Sequence, residues 1–331
     1  MTIINGVEID SYRRISNDTK KAIINNTVIE ENLHVIMVIS NPCSFAKRYI
    51  LAKEFIYRME SEQNVILYII ELCYKGQKHH ITKNNNPRHL QLFTDTSPLW
   101  HKENMINIGV NTLLPSTWKA FAWIDADVEF ESSTWAIDAL KCLNGYKDII
   151  QLFSHCIDMD NNNNPLNIFS SFGYQYCKQK DYKTNITSNY WHPGYAWACT
   201  RNAYDKIGGL YEHSILGSGD NNMALSILGY GVSSLNNNVT NEYKNHLNEY
   251  QKKMNTLRLG YVPGVIRHYF HGAKANRKYQ ERWKILVNNN YNPNTHIVHN
   301  DKKLLIPTQE CPVKLLNDIL NYFEERNEDE A

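Results

Sequence analysis

His34-Val35-Ile36-Met37-Val38-Ile39 is a short apolar run, largely β-branched, and it stops at Asn41-Pro42, where the chain has to turn. A run of that length bounded by a turn signal is expected as a buried strand. Working outward, Phe45, Tyr49, Ala52, Phe55, Ile56 and Met59 recur at helical spacing, and 65–72 is a second apolar run. Strand, helix and strand in that order make a β-α-β unit. The alternation continues with a strand at 89–92, a helix around 102–111 and a buried strand at 120–124. A helix opened by Ser132, Ser133 and Thr134 then runs to Gly145, and a strand follows at 148–153. Alternation of this kind predicts an α/β chain with a mostly parallel sheet covered on both faces.

Outside that core the periodicity weakens. Residues 1–33 read as an N-terminal extension, and the Asn-rich stretch 160–165 interrupts the alternation, so 154–190 is expected as a less regular insertion. Residues 191–272 return to complete a site, and 313–325 has the pattern of a closing amphipathic helix with an acidic tail after it. The expected division is therefore 1–33, 34–153 as a nucleotide-binding half, 154–287 as an acceptor-binding and metal-completing half, and 288–331 as a helical extension.

The 331 residues carry 35 Lys and Arg against 34 Asp and Glu, a net charge of +1 that gives no electrostatic drive toward a polyanion and argues against general nucleic-acid binding. Seven cysteines, at 43, 73, 142, 156, 177, 199 and 311, show neither Cys-x-x-Cys spacing nor a disulfide framework, which suits a reducing compartment. The polar stretch 1–21 lacks the apolar segment of a signal peptide, and no run approaches the roughly 18 apolar residues of a membrane span. These features predict a cytoplasmic protein, in a host's cytoplasm if the gene is viral. On that expectation the sequon Asn185-Ile186-Thr187 is a coincidence.

The chemistry-bearing residues begin where strand 120–124 ends, at Asp125-Ala126-Asp127. Ligands bind at the carboxyl ends of strands in open α/β sheets. Two carboxylates at i and i+2 there can hold a hard divalent cation such as Mn²⁺ or Mg²⁺, although two solvated loop acids would look the same in isolation. The context is Trp191-His192-Pro193-Gly194-Tyr195-Ala196-Trp197, then Ile207-Gly208-Gly209-Leu210-Tyr211-Glu212, then Leu216-Gly217-Ser218-Gly219-Asp220-Asn221-Asn222-Met223, with Trp100-His101-Lys102-Glu103, Asn107 and Gly109 upstream.

Together these motifs resemble GT-A glycosyltransferases of the family-2-like, Asp-x-Asp type over about residues 34–284. The resemblance implies a Rossmann-like GT-A fold with a C-terminal helical extension. It also implies metal-dependent transfer of a hexose or N-acetylhexosamine from a nucleotide-diphosphate sugar, a UDP-sugar by analogy, to an acceptor hydroxyl, with inversion. Residue by residue it implies Gly194 as backbone close to the donor, Lys102, Asn107 and Ala126 as donor-site positions, Asp220 as the base that deprotonates the acceptor, and a C-terminal histidine that joins Asp127 on the metal. His271 is the expected ligand and His268 the alternative; Asp125 is counted in the metal set and is expected to touch the ribose, or the metal through water. An imidazole ligand favours Mn²⁺ over Mg²⁺.

Asp220 also opens the apolar-periodic helix that begins near Met223 and would serve equally as its N-terminal cap; Glu212 is the second candidate base. Trp191, Tyr195 and Trp197 crowd Gly194, and Trp197 is the candidate to stack on a sugar face. Asn41, Pro42 and Glu71 are expected near the nucleoside from their places at strand ends, and Arg277 and Arg282 near phosphate. The expected partners are a nucleotide-sugar donor and a glycan, protein or lipid-linked acceptor. No Gly-x-Gly-x-x-Gly, P-loop or Gly-x-Ser-x-Gly occurs, which removes the main warrant for dinucleotide oxidoreductases, P-loop NTPases and α/β-hydrolases. The segment Ser40-Asn41-Pro42-Cys43-Ser44 lacks the Gly-rich, Arg-containing loop of a sugar nucleotidylyltransferase. A binding module that keeps the fold without turnover is the alternative from another class.

Overall fold

The computed structural model describes residues 17–178 and 191–330 together with a hairpin of β1 (Ile3–Ile4) and β2 (Val7–Glu8); the sequon at 185–187 lies outside the described residues. After helix α1 (Asn17–Ile24) the predicted β-α-β unit is present as β3 (Leu33–Ser40), α2 (Ala46–Ser61) and β4 (Val65–Tyr74). It continues through β5 (His89–Thr94), α3 (Lys102–Leu113) and β6 (Ala120–Ile124). Further on, α4 (Trp135–Cys142), β8 (Ile149–Gln151), β12 (Ala196–Thr200) and β13 (Leu259–Tyr261) complete a seven-stranded sheet of order β13-β8-β12-β6-β3-β4-β5. All its neighbours are parallel except that β12 runs antiparallel to both β6 and β8. The fold is mixed α/β with a mostly parallel central sheet flanked by helices.

Alternation along each strand builds two cores. Leu33, Val35, Met37 and Ile39 of β3 face Ala52, Phe55 and Met59 of α2 and residues of α4, while Ile36 joins Ile70 and Leu72 of β4 and Met105 and Ile106 of α3 on the other face. This is the period-2 pattern of a sheet buried on both sides. Gly109 lets α3 lie close to that sheet, because a Cβ there would stand 2.6 Å from Ile70 Cδ1.

The described part of the segment expected to be irregular, 154–178, is regular. Between 155 and 177 the chain forms β9 (His155–Met159), β10 (Pro165–Ser171) and α5 (Phe172–Cys177); the Asn-rich stretch is only the turn of the β9-β10 hairpin. With β7 (Val128–Phe130), β11 (Trp191–His192) and β14 (Val265–His268), these strands make a second sheet of order β11-β10-β9-β14-β7. The strands of this sheet are interrupted by polar residues, so they lack the continuous apolar signal of the central sheet.

Helices α6 (Arg201–Ile207), α7 (Gly219–Ile227) and α8 (Asn241–Met254) follow β12 in the chain. The remaining elements are α9 (Trp283–Asn288), α10 (Pro293–His296), the hairpin β15 (Ile297–His299) and β16 (Leu305–Pro307), and α11 (Val313–Glu325). The segment after α11 is not a free acidic tail: Arg326 and Glu328 are 3% and 1% exposed. No helix among the described residues is long and apolar enough to cross a membrane.

Phe121, fully buried in the middle of β6, touches Trp118, Trp123 and Tyr204 edge-on or tilted. Phe121→Ala is expected to cost about 3–5 kcal/mol in urea unfolding; a loss below about 1 kcal/mol would show that this side of the sheet is not close-packed.

Candidate functional site

Two ladders assemble the site. In the central sheet, Ile124 pairs with Ala196 and the Asp125 N–H donates to the Tyr195 carbonyl at 2.8 Å, which fixes the Gly194-Tyr195 turn beside Asp125. In the second sheet, Val128 pairs with His268 and the Tyr269 N–H donates to the Asp127 carbonyl at 2.8 Å. Asp127 and His268, 141 positions apart in sequence, are thereby set side by side at the carboxyl end of β6.

Around Asp127, His271 Nε2 lies 2.7 Å and His268 Nε2 3.7 Å from Oδ2, and the two imidazole nitrogens are 3.3 Å apart. Ligand atoms of Asp127, His268 and His271 all fall within 4.8 Å of one another, a spread that one divalent ion can span. Both histidines, first considered as alternatives, therefore belong to the cluster.

Two further features fit a metal. The other oxygen of Asp127, Oδ1, is buried with no hydrogen-bond partner among the described residues. His268 Nδ1 sits 2.7 Å from Asp158 Oδ1, and Lys274 pairs with that carboxylate in turn. Asp158 can only accept here, so Nδ1 carries a proton and Nε2 is the nitrogen turned to the cluster, where a bound metal would take its lone pair in place of the proton that Asp127 otherwise holds there, the arrangement that backs metal-bound histidines. Burial would raise the Asp127 carboxyl, but the charges of His271 and His268 outweigh it and hold Asp127 well below the usual range. His268 is raised because attraction to Asp127 and hydrogen bonds to Asp127 and Asp158 overcome its desolvation.

Asp125 is placed differently from the expectation that it ligates the metal. Its Oδ1 is 2.5 Å from Lys102 Nζ, and it is not one of the three clustered groups. Carboxylates at i and i+2 diverge as the chain leaves β6, and Lys102, at the start of α3, takes the first one. Burial and the neighbouring Asp127 raise the Asp125 carboxyl despite Lys102.

These groups line a cleft of about 1020 Å³, open at its mouth, whose walls include Asn41, Pro42, Lys102, Asp125, Ala126, Asp127 and His271. Arg48, Arg277 and Arg326 add positive charge, and Val38, Leu99, Trp100, Met105 and Phe323 make part of the wall apolar. The Asn41 side chain is spent on the turn, since its amide donates to the Phe45 carbonyl and its oxygen accepts from the Phe45 N–H. Only its place in the wall, not its amide, faces the cleft.

Lys102 also borders a second, narrow pocket lined by Glu103, Gly194, Tyr195, Trp197, Gly219 and Asp220. A Cβ on Gly194 would meet Asp220 Oδ2 at 2.5 Å, so glycine is required for the carboxylate to pack there. Asp220 is not the cap of α7. Ser218 holds that position, with φ 74°, and Asp220 lies in the first turn, accepting from the Asn221 N–H at 2.8 Å. Trp197 is 1% exposed, stacked on Trp123, with its indole N–H on the Pro193 carbonyl. It borders this pocket only by an edge, and stacking on a sugar face is ruled out for a ring so enclosed.

Four sequence expectations are corrected by hydrogen bonding. Glu71 does not line the cleft; its buried carboxylate accepts from the N–H groups of His80, Ile81 and Thr82 and from the Thr82 hydroxyl, anchoring a loop. Asn107 donates to the Leu210 carbonyl and to Glu212, and accepts from the Leu210 N–H, so it fastens the 208–212 turn instead of touching a ligand. Glu212, the second candidate base, is engaged by Asn104, Asn107 and His299. Arg282 is buried against Ser218 and the Tyr322 hydroxyl, which leaves Arg277 as the cleft arginine of that pair.

Sequence reading missed Asp158, Glu103, Arg48 and Glu328. Glu103 stood inside a quoted motif, and its neighbour Lys102 was singled out while it was not; the other three carry no local signal.

No family model matches the sequence, and no curated protein is similar to it. Among solved structures, a Drosophila β-1,4-galactosyltransferase 7 mutant in complex with manganese, UDP-Gal and xylobiose is similar over 87% of this chain and 98% of its own, at 10% identity and a TM-score of 0.42. The mannosyltransferase PcManGT of Pyrobaculum calidifontis, in complex with GDP-Man and Mn²⁺, is similar over 83% of this chain and 64% of its own, at 9% identity and a TM-score of 0.42. Likeness of this degree says nothing about chemistry, which has to be read from the side chains.

Glu103 carries a pH signature. Burial, against the pull of Lys102 and with Asp220 adding to it, pushes its carboxyl up to about 7 from an ordinary 4.5. Between about pH 4.5 and 7 the folded state holds a proton that the unfolded state has released, so this group's contribution to stability falls as pH rises through that window and stays low above it. Glu103→Gln is expected to gain up to about 3 kcal/mol relative to wild type at pH 8 and nothing at pH 4. A pH-independent difference in urea midpoints would contradict the assignment.

Proposed function

We propose that the protein is a metal-dependent glycosyltransferase that moves a sugar from a nucleotide-diphosphate donor, a UDP-sugar by resemblance to Asp-x-Asp enzymes, onto an acceptor hydroxyl with inversion. The observation that carries this reading is the convergence of Asp127, His268 and His271 at the carboxyl end of the sheet, beside a cleft that Asp127 and His271 line together with Arg48, Lys102, Arg277 and Arg326. A carboxylate and two imidazoles suit Mn²⁺, and three arginines and a lysine around them suit a diphosphate. The part-apolar wall with Asn41 and Pro42 offers room for the nucleoside.

In this reading Asp127, His268 and His271 would hold the metal, which when bound supplies charge neutralisation for the leaving nucleoside diphosphate. Asp158 keeps the His268 tautomer with its lone pair inward. Lys102 holds Asp125 at the donor side and stands between the two pockets. Asp220 accepts the acceptor's hydroxyl proton as that oxygen bonds to the anomeric carbon, and the bond from that carbon to the phosphate oxygen breaks on the opposite face. Gly194 keeps the backbone thin enough for Asp220 to reach this position.

Asp127→Ala is expected to abolish Mn²⁺-dependent donor binding in calorimetry with a panel of nucleotide sugars. Asp220→Asn is expected to leave donor binding within about twofold of wild type while transfer falls by 10²-fold or more, the usual share of a general base. Transfer at the wild-type rate by Asp220→Asn would remove Asp220 from the role of base, and wild-type protein that binds nucleotide sugars without any turnover would favour a binding module.

A further inference from the structure

We infer that the segment 326–329 is part of the metal centre, with Glu328 as the residue that offsets the arginines beside His271. The inference rests on reading Asp127, His268 and His271 as metal ligands. Glu328 is 1% exposed, and its carboxylate accepts from Arg48 at Nε and, at 2.8 Å, at Nη2. Arg326 Nη2 lies 2.6 Å from the same carboxylate, and His271 Nδ1 is 3.6 Å from its other oxygen. His271 differs from His268: Asp158 hydrogen-bonds His268 Nδ1 at 2.7 Å, whereas the near neighbour of His271 Nδ1 is Arg277 Nη2 at 3.0 Å, and Glu328 stands 3.6 Å away as a charge beside the arginines.

The segment is seated, not merely adjacent. Asp329 accepts from the N–H groups of Ala46 and Lys47 at 2.9 and 2.8 Å, tying the segment to the start of α2. On its other side it lies against Gly272, directly after His271: a Cβ there would meet Glu328 Cα at 3.0 Å and the Arg326 carbonyl at 3.1 Å, and Gly272 has φ 88°. The Arg326 guanidinium lies over the Trp100 ring at 5.2 Å. The strap therefore joins the strand-end half of the cleft to the histidine half.

The electrostatic reason is direct. Arg48, Arg277 and Arg326 line the cleft that holds the cluster, and three guanidinium charges repel a divalent cation. Glu328 pairs with two of them and offsets that charge, so Asp127 is left for the metal and is not drawn to Arg48. Without the carboxylate, Arg48 is free to turn toward Asp127, whose charge already acts on it.

Mn²⁺ affinity of the purified protein without donor, by calorimetry or by the free-Mn²⁺ electron paramagnetic resonance signal, tests this. Glu328→Gln is expected to weaken Mn²⁺ binding by about 10-fold or more, because it leaves the Arg48 and Arg326 charges uncompensated near the cation. Glu328→Asp, which keeps the charge, is expected to recover most of the loss although it packs no better than glutamine. Asp329→Ala, which cuts only the exposed anchor on α2, is expected to weaken binding severalfold and gives the answer should Glu328→Gln not fold. Wild-type Mn²⁺ affinity in folded Glu328→Gln, or in Asp329→Ala, overturns the inference while leaving the metal centre in place. If wild type binds no Mn²⁺, or Asp127→Asn binds it as wild type does, the metal reading fails and this inference with it.

Discussion

The antiparallel pairing of β7 with β14 is the constraint on which the rest depends. The Tyr269 N–H on the Asp127 carbonyl holds the backbone after β6 against the backbone that carries His268 and His271. Because side chains alternate along a strand, a one-residue slip in that register would turn His268 to the opposite face and leave Asp127 without an imidazole partner. The pairing is short, three residue pairs, and is supported on the other side by the parallel ladder of β14 with β9, which also delivers Asp158 opposite His268. One strand thus places a candidate ligand and the carboxylate behind it in the same step.

Charge balance is the second organising feature. The cleft and the residues behind its walls contain more ionised groups than a buried surface tolerates singly, and the acids there are matched: Asp125 with Lys102, Asp158 with His268 and Lys274, Glu328 with Arg48 and Arg326. Asp127 is the exception, with one oxygen facing two imidazoles and the other unpartnered. A buried carboxylate left half-satisfied amid paired charges is where a missing cation would restore balance. Asp220 stands apart from this network, in a separate pocket joined through Lys102, which is the separation that acceptor activation and donor binding call for.

The central sheet was legible because a strand buried on both faces writes itself as a continuous apolar run; the predicted strands at 34–39, 65–72 and 120–124 each lie within an observed strand, and helix 313–325 matches α11. The second sheet was not. Its strands are broken by polar residues such as Asp158, Asn167 and Arg267, and the Asn-rich turn between β9 and β10 read as the interior of a loop. Glu71 and Asn107 were singled out for lying at strand ends or inside a motif, yet both spend their polar atoms on backbone of loops packed against them. Local sequence cannot distinguish a carboxylate that anchors a loop from one that meets a ligand, since both are buried and both need hydrogen bonds.

By itself the sequence determined the strand-helix alternation, the carboxylates delivered where β6 stops, and the pool of histidines from which ligands could come. These follow from hydrophobic period and backbone stereochemistry, which act over a few neighbouring residues. Only the tertiary structure decided that His268 and His271 both face Asp127, that Lys102 claims Asp125, and that Glu328 returns to sit with the arginines beside His271. Those outcomes depend on which strands pair and in what register, and the energy of pairing belongs to two segments far apart in the chain, so neither segment alone records it.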